Sequence, residues 1–206
     1  MEYQSSNYIK HTKTRGLKHI MIERFHSIML LQLSNINPSR LLDIGCGEGF
    51  FIKRAQDAGF KNIYGFDGSD KAVRMARRLT GLTSSHIKKH DIYDSNSAVF
   101  DSTFDVVCCL EVLEHLSDPK KALENIRQIN ANYIFLSVPN EPFFCFGNII
   151  VGKNILRLGN DPDHKQLWTG TRFKKFIIRI LGDKYTVESL SPVIFPWTVI
   201  KCKRLN

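Results

Sequence analysis

A glycine-rich turn restricts the fold of this chain more than any other feature. The run LLDIGCGEG occupies residues 41–49, so an apolar segment leads directly into three glycines. Such a turn lets a strand end sharply and lets a ligand approach the main chain closely. A dinucleotide-binding turn would need glycine at position 50, where this chain has Phe50. Asp43, two residues before the first glycine, suits a positively charged ligand better than a pyrophosphate. The turn therefore predicts a ligand crevice at the end of a strand.

Short apolar segments alternate with helical patterns over most of the chain. Strand candidates lie at 40–44, 62–66, 86–90, 104–110 and 133–138, and helix candidates lie near 48–58, 70–79 and 119–129. Asp118 followed by Pro119 favours the start of the last helix, because aspartate caps a helix and proline fits its first position. This alternation predicts βαβ units and a mainly parallel sheet.

Both ends of the chain add elements to this arrangement. Apolar residues at helical spacing predict an amphipathic helix at about 15–34. A further helix is expected near 170–181. Strands near 184–190 and 193–202, joined by a Ser-Pro link at 191–192, predict an antiparallel hairpin at one end of the sheet.

The composition is that of an ordinary globular protein. Hydrophobic residues make up 43% of the 206 residues and charged residues 24%. No apolar run approaches the roughly 18 residues of a membrane span, and the polar N-terminus lacks the apolar core of a signal peptide. Five cysteines without a Cys-x-x-Cys pair indicate reduced thiols. We therefore expect a cytoplasmic location.

The formal net charge of +9 leaves two interpretations open. A solvated basic surface explains it, and we favour this interpretation because no aromatic-basic RNA motif accompanies the charge. The other interpretation is attraction to an anionic partner, such as RNA, an acidic lipid surface or a phosphorylated substrate. Charge alone does not choose between them.

The glycine-rich turn resembles motif I of the class I S-adenosylmethionine-dependent methyltransferases. The run IYGFD, which ends at Asp67, resembles motif II, and the run FDVVCCLE, which ends at Glu111, resembles motif IV. The likeness is strongest over residues 35–140. It implies a Rossmann-like α/β fold in which a seven-stranded, mainly parallel sheet carries a reversed C-terminal hairpin.

This resemblance also implies the cofactor, S-adenosyl-L-methionine, and the residues that bind it. Asp67 would accept hydrogen bonds from both ribose hydroxyls, Asp91 would face the adenine amino group, and Ile92 would face the adenine ring. The implied cofactor-binding residues are Asp43, Gly45, Gly47, Asp67, Asp91, Ile92 and Leu110.

We expect one methyltransferase domain over residues 1–206. Its N-terminal helix would lie at about 15–34 and its cofactor-binding half at about 38–138. An acceptor-side lid and the C-terminal hairpin would occupy about 139–206.

Acidic and histidine side chains follow the motif IV strand. The run EVLEHL places Glu111, Glu114 and His115 at spacings that would share one face of a helical turn, and His164 comes after the fifth strand. Carboxylates and imidazoles bind Mg²⁺ or Mn²⁺, so these four residues are candidate metal ligands. In the metal-free alternative, the candidate catalytic residues Glu111, His115 and His164 act as a base or as hydrogen-bond partners.

This acidic and histidine set resembles most closely that of the ubiquinone-pathway O-methyltransferases. It is also similar to that of the small-RNA 2′-O-methyltransferases, and in both groups a metal that holds neighbouring hydroxyls is the family explanation. The resemblance implies O-methylation of a small or lipid-like hydroxylated acceptor. The alternatives are RNA 2′-O-methylation and a non-catalytic cofactor-binding protein. The apolar run at 143–151 is a buried helix, a lid over a greasy acceptor, or a patch that meets a membrane surface.

Overall fold

The computed structural model describes residues 16–94, 103–141, 143, 145, 163–190, 194 and 196–205. Most of the predicted apolar segment at 143–151 and the Ser-Pro link at 191–192 lie outside the described residues. The helices are α1 (Leu17–Ile36), α2 (Phe50–Asp57), α3 (Asp70–Thr80), α4 (Pro119–Gln128) and α5 (Gly170–Leu181). The strands are β1 (Leu41–Ile44), β2 (Ile63–Asp67), β3 (Ile87–Lys89), β4 (Phe104–Leu110), β5 (Ala131–Pro139), β6 (Tyr185–Ser189) and β7 (Trp197–Arg204). A 3₁₀ turn, Leu113–His115, follows β4.

The seven described strands form one sheet in the order β3-β2-β1-β4-β5-β7-β6. Neighbouring strands are parallel from β3 to β5, whereas β7 is antiparallel to both β5 and β6. The order of the strands reverses beside β1, and ligands of open α/β sheets bind outside the carboxyl ends of the strands at such a point. The predicted seven-stranded α/β fold is confirmed.

The C-terminal hairpin has a more specific topology than the sequence indicates. Its second strand, β7, inserts between β5 and β6, so that β6 forms the edge of the sheet. Burial explains this order, because β7 is buried over most of its length whereas β6 alternates between buried and exposed residues. Since β7 is antiparallel to both neighbours, it is the reversed strand and β6 follows the direction of β1 to β5.

Side-chain caps fix the starts of three helices that flank the sheet. Ser69, Asp118 and Thr169 each accept a hydrogen bond from a backbone N–H in the first turn of α3, α4 and α5 respectively. Pro119 occupies the first turn of α4. The start of α4 predicted from Asp118 and Pro119 is therefore confirmed.

Two apolar cores lie on either side of the sheet. One joins the sheet to α4 and α5, and the other joins it to α1, α2 and α3. Cys108 and Cys109 are buried neighbours in β4, and all five cysteines of the chain are free thiols. Within the described residues, no helix is long and apolar enough to cross a membrane.

Candidate active site

The turn after β1 has a backbone shape that favours glycine. Gly45, Gly47 and Gly49 have φ values of 67°, 52° and 83°, in the left-handed region that side chains disfavour. Gly45 also has no room for a side chain, because a Cβ there would lie 2.5 Å from Val112 Cγ2. Val112 belongs to the segment that leads from β4 to His115. The glycine turn is thus in contact with the segment that carries the predicted acceptor-side residues.

Asp67 ends β2 and supports the glycine turn. Its Oδ2 accepts a hydrogen bond from the Gly47 N–H at 2.9 Å, and its Oδ1 accepts one from the Ser69 N–H at 2.8 Å. Burial raises the pKa of this carboxyl, while the two backbone N–H groups oppose the rise and Glu48 adds to it. Each carboxylate oxygen has further acceptor capacity. Asp67 can therefore hold the turn and accept hydrogen bonds from a ligand at the same time.

Asp43 is a carboxyl group inside the sheet. It lies in β1 and is only 4% exposed. Burial raises its pKa to about 8, and the negative charge of Asp67 adds to the rise. A buried carboxylate is costly unless a positive group lies nearby. The site is therefore suited to a cationic ligand, which is the interpretation that its sequence position favours.

The other predicted cofactor ligands follow β3 and end β4. Asp91 is exposed in the turn after β3, where its Oδ1 accepts a hydrogen bond from the Tyr93 N–H at 2.9 Å. Ile92 is half-buried against the core on the α4 and α5 side, and Leu110 is half-buried against the other core. These residues lie at or just after the carboxyl ends of their strands, and their cofactor contacts stay predictions.

Glu111 follows β4 in a strained backbone conformation. Its φ is 59°, a region that costs a non-glycine residue on the order of 1–2 kcal/mol. The predicted α-helical turn from Glu111 to His115 is wrong, because this left-handed residue interrupts the helical path and a 3₁₀ turn begins only at Leu113. Helical spacing therefore does not place Glu111 on the same face as the residues that follow it.

The carboxylate of Glu111 is held by two other strands of the sheet. Its Oε2 accepts a hydrogen bond from Trp197 Nε1 in β7 at 2.7 Å, and its Oε1 accepts one from Ser137 Oγ in β5 at 3.1 Å. Ser137 Oγ also accepts a hydrogen bond from the Glu111 N–H at 3.0 Å. The sequence predicts neither partner. Ser137 carries a weak signal as a polar residue within an apolar run, whereas nothing in the sequence marks Trp197.

The structure brings together three of the four predicted metal ligands. One ligand atom each from Glu114, His115 and His164 lies within 4.8 Å of the other two. His115 Nε2 is 3.9 Å from Glu114 Oε1, and the two imidazole rings have centroids 5.1 Å apart. Within the described part of the chain, Glu111 does not belong to this group. The convergence predicted for four residues is thus seen for three.

Backbone hydrogen bonds hold the segment at 163–166 against the 3₁₀ turn. The N–H groups of Lys165 and Gln166 donate to the Glu114 carbonyl oxygen at 2.8 and 3.0 Å. The side-chain amide of Gln166 donates to the Leu116 carbonyl oxygen at 3.3 Å. These hydrogen bonds place His164 beside His115. The sequence does not predict Gln166 either, because a glutamine in a loop carries no recognisable signal.

One hydrogen bond determines which nitrogen of His115 is available to a ligand. Its Nδ1 lies 3.0 Å from the Asp163 carbonyl oxygen. A carbonyl only accepts hydrogen bonds, so Nδ1 must carry the proton. In the neutral ring, Nε2 then has the free lone pair. That nitrogen faces Glu114, and it can accept a proton or bind a metal ion.

A comparison with known protein families supports the interpretation of these motifs. The profile of a family described as a methyltransferase domain matches residues 17–181. This chain belongs to that family. The predicted membership of the methyltransferases is confirmed, and the glycine turn, Asp67 and the segment after β4 all lie within the matched residues.

Curated relatives are O-methyltransferases and an RNA-modifying enzyme. The ubiquinone biosynthesis O-methyltransferase of Actinobacillus pleuropneumoniae serotype 7 (strain AP76) is 28% identical over 146 residues, which are 67% of this chain and 59% of that protein. That of Aromatoleum aromaticum is 31% identical over 123 residues, 58% of this chain and 52% of the relative. The tRNA U34 carboxymethyltransferase of Campylobacter hominis is 28% identical over 99 residues, 48% and 35% of the two chains. This chain spans less than two thirds of the length of these relatives.

Solved structures share the fold at low sequence identity. The methyltransferase domain of bacterial-CtHen1-C has a TM-score of 0.71 at 20% identity, covering 90% of this chain and 100% of that one. The plantazolicin methyltransferase BpumL, solved in complex with SAH, has a TM-score of 0.74 at 17% identity, covering 97% and 91%. These likenesses confirm the Rossmann-like methyltransferase fold.

Proposed function

We propose that this chain transfers a methyl group from S-adenosylmethionine to a hydroxyl oxygen of a small or lipid-like acceptor. The observation that carries this proposal is the grouping of Glu114, His115 and His164 next to the predicted cofactor crevice. The contact between Gly45 and Val112 brings the two halves of the site together. The similarity to ubiquinone biosynthesis O-methyltransferases supports an oxygen as the methylated atom.

The cofactor side of the proposal rests on charge and backbone shape. Asp43 is a buried carboxyl group, and a cationic ligand favours its ionised form. Asp67 lies at the end of β2 with acceptor capacity left for ribose hydroxyls. S-adenosylmethionine supplies a methyl group that is already activated on a sulfonium. The chain therefore needs to bind, orient and exclude water, and no residue has to form a covalent intermediate.

The acceptor side of the proposal has two versions, and His115 takes part in both. In the first, His115 Nε2 accepts the proton of the acceptor hydroxyl as a general base, and the Asp163 carbonyl oxygen fixes the ring for this task. In the second, Glu114, His115 and His164 hold a divalent cation, with Glu111 as the further ligand that the resemblance implies. A cation there would hold neighbouring hydroxyls and lower the pKa of the one to be methylated.

The donor set fits a divalent cation after small side-chain adjustments. Ligand atoms of one ion lie roughly 3 Å apart, given metal–ligand bonds of roughly 2.1 Å, and the three candidate atoms lie within 4.8 Å of one another. Two imidazoles and one carboxylate suit Mn²⁺ better than Mg²⁺, which prefers oxygen ligands. We therefore expect Mn²⁺ to support turnover at lower concentrations than Mg²⁺ does.

Release of S-adenosylhomocysteine from a panel of hydroxylated acceptors tests the proposal. We expect release with at least one vicinal diol or phenol, and we expect His115→Ala and His164→Ala to abolish it. EDTA separates the two versions: loss of turnover that Mn²⁺ restores supports the metal, whereas turnover that survives chelation supports the general base. Lys120→Ala, an exposed change on α4, serves as the control. Full activity of both histidine variants would refute the general-base version and the metal version alike.

RNA 2′-O-methylation is the second candidate function. It is favoured by the net charge of +9 and by the grouping of Glu114 with His115 and His164. If this candidate is correct, affinity for a short RNA should fall log-linearly with salt concentration, and a ribose should gain the methyl group. A non-catalytic role is the third candidate, and binding of S-adenosylmethionine without turnover of any acceptor would favour it.

Contact with lipid is a separate part of the proposal. Phe143 and Leu167 are about half exposed, at 52% and 51%. Their segments are joined by a hydrogen bond from the Glu141 N–H to the Trp168 carbonyl oxygen at 2.8 Å. Exposed apolar side chains on two joined segments suit a greasy acceptor or a membrane surface. Co-sedimentation with anionic vesicles, lost in the variant Phe143→Ser with Leu167→Ser, would support the membrane contact.

A further inference from the structure

Three strand ends meet at the carboxylate of Glu111. The donors Trp197 Nε1 and Ser137 Oγ reach its two oxygens at 2.7 and 3.1 Å. Hydrogen bonds to a charged group are stronger than neutral ones, and the shorter of these two comes from the indole. Trp197 is only 4% exposed, so water has little opportunity to replace its N–H. The orientation of this carboxylate is therefore set by Trp197, which is 86 positions away in the sequence.

The backbone of Glu111 explains why its side chain needs such support. A residue with φ of 59° directs its side chain away from the path that the strand would give it. The Glu111 N–H is also fixed, because it donates to both the carbonyl oxygen and Oγ of Ser137. With the main chain held at one end and the carboxylate at the other, few rotamers are left to the side chain.

Trp197 is itself held by the N-terminal helix, in the core that joins the sheet to α1, α2 and α3. The rings of Trp197 and Phe25 have centroids 5.0 Å apart, and Phe25 is a buried residue of α1. Helix α1 therefore packs on the indole whose N–H reaches Glu111. The arrangement forms a continuous chain of contacts from the N-terminal helix to the predicted acceptor side of the site.

We propose that Trp197 is a positioning residue of the acceptor site, which acts by orienting the Glu111 carboxylate through its indole N–H. This inference rests on the proposed function and on the prediction that Glu111 is an acceptor-side residue, either as the further metal ligand or as a hydrogen-bond partner of the acceptor. Ser137 shares the task through the second oxygen. Loss of the indole N–H leaves the carboxylate free to rotate, so turnover falls because fewer molecules have Glu111 correctly placed.

The test compares four chains: wild type, Trp197→Phe, Glu111→Gln and the double variant. Phenylalanine keeps an aromatic ring against Phe25 and removes the donor. With 3,4-dihydroxybenzoate as the hydroxylated probe, we expect Trp197→Phe to lower kcat about 10- to 100-fold and to leave the KM for S-adenosylmethionine unchanged. In the Glu111→Gln background, the same substitution should change kcat less than about threefold. A merely structural role for Trp197 would instead give additive losses.

A matched control and a second readout separate packing from positioning. Val199→Ala also shortens a buried side chain of β7, and we expect it to lower the thermal midpoint with kcat retained. The indole N–H resonance of Trp197, assigned by its absence in Trp197→Phe, should shift in Glu111→Gln while that of Trp168 stays in place. This readout needs no turnover.

The outcomes distinguish this inference from the proposed function. Additive effects of the two substitutions on kcat, or an indole resonance that does not respond to Glu111→Gln, would overturn the inference while methyl transfer stands. A wild-type chain that binds S-adenosylmethionine and releases no S-adenosylhomocysteine from any acceptor would overturn the proposed function, and the role of Trp197 in turnover with it.

Discussion

Replacement of Asp67 by alanine tests the cofactor site most sharply. The Asp67 carboxylate accepts hydrogen bonds from the N–H groups of Gly47 and Ser69, and we predict that it also accepts two from ribose hydroxyls. Loss of the two ribose bonds should cost about 2–4 kcal/mol of affinity, because each is assisted by charge but competes with water. The Kd for S-adenosylmethionine, measured by calorimetry, should therefore rise by about 30- to 700-fold.

A comparison of two ligands separates ribose binding from simple charge attraction. S-adenosylhomocysteine has the same ribose but lacks the positive sulfonium. If Asp67 binds the ribose, Asp67→Ala should weaken both ligands by similar factors. If it acts only through its charge, S-adenosylmethionine should lose far more affinity. Asp57→Ala, an exposed carboxylate at the end of α2, is the matched control. Unchanged affinity for both ligands in Asp67→Ala would refute the assignment of motif II.

Three further predictions concern stability and the link between the two halves of the site. Because burial raises the pKa of Asp43 to about 8, the folded chain keeps a proton that the unfolded chain releases above about pH 4. The free energy of unfolding should therefore fall as pH rises from about 4 towards about 8. Asp43→Asn should flatten this pH dependence in thermal melts, and an unchanged slope would contradict the role of Asp43. Gln166→Ala should weaken Mn²⁺ binding by about tenfold and leave the affinity for S-adenosylmethionine unchanged, because it loosens the segment that carries His164. Electron paramagnetic resonance measures the Mn²⁺ affinity, and an unchanged value would show that the backbone hydrogen bonds alone hold this segment. Gly45→Ala should destabilise the fold by about 1–3 kcal/mol in urea unfolding, since its Cβ would collide with Val112 and its φ of 67° disfavours a side chain. A smaller effect of Gly45→Ala in the Val112→Ala background than in the wild type would assign part of the loss to the collision, and equal effects would contradict it.

Local sequence patterns predicted the fold because each element is encoded by nearby residues. The glycine turn, the cap at Asp118 and the apolar strands depend on short-range rules, and the structure confirms them. The place of β7 between β5 and β6 depends instead on which strand is more completely buried. Burial of that kind is decided by tertiary packing, which a single sequence does not display.

The candidate site was predictable where residues are neighbours in the sequence or belong to a pattern shared with a known family. Glu114 and His115 are neighbours, and the motif that contains them drew attention to His164 as well. The partners of Glu111 come from β5 and β7, so the hydrogen bonds from Ser137 and Trp197 appear only once the sheet is assembled. The left-handed conformation at Glu111 was equally hidden, because strain of this kind is imposed by the surrounding structure.

The central claim is that the chain methylates a hydroxyl group of a small or lipid-like molecule with S-adenosylmethionine as donor. The most direct measurement incubates the chain with S-adenosylmethionine that carries a trideuterated methyl group and with separate small-molecule, lipid and small-RNA fractions of a cell extract. Mass spectrometry then locates the label. The account predicts a product in the small-molecule or lipid fraction that is heavier by one trideuterated methyl group on oxygen, and that is absent with His115→Ala. Label on carbon or nitrogen, label confined to RNA ribose, or a chain that binds S-adenosylmethionine and labels nothing would contradict it.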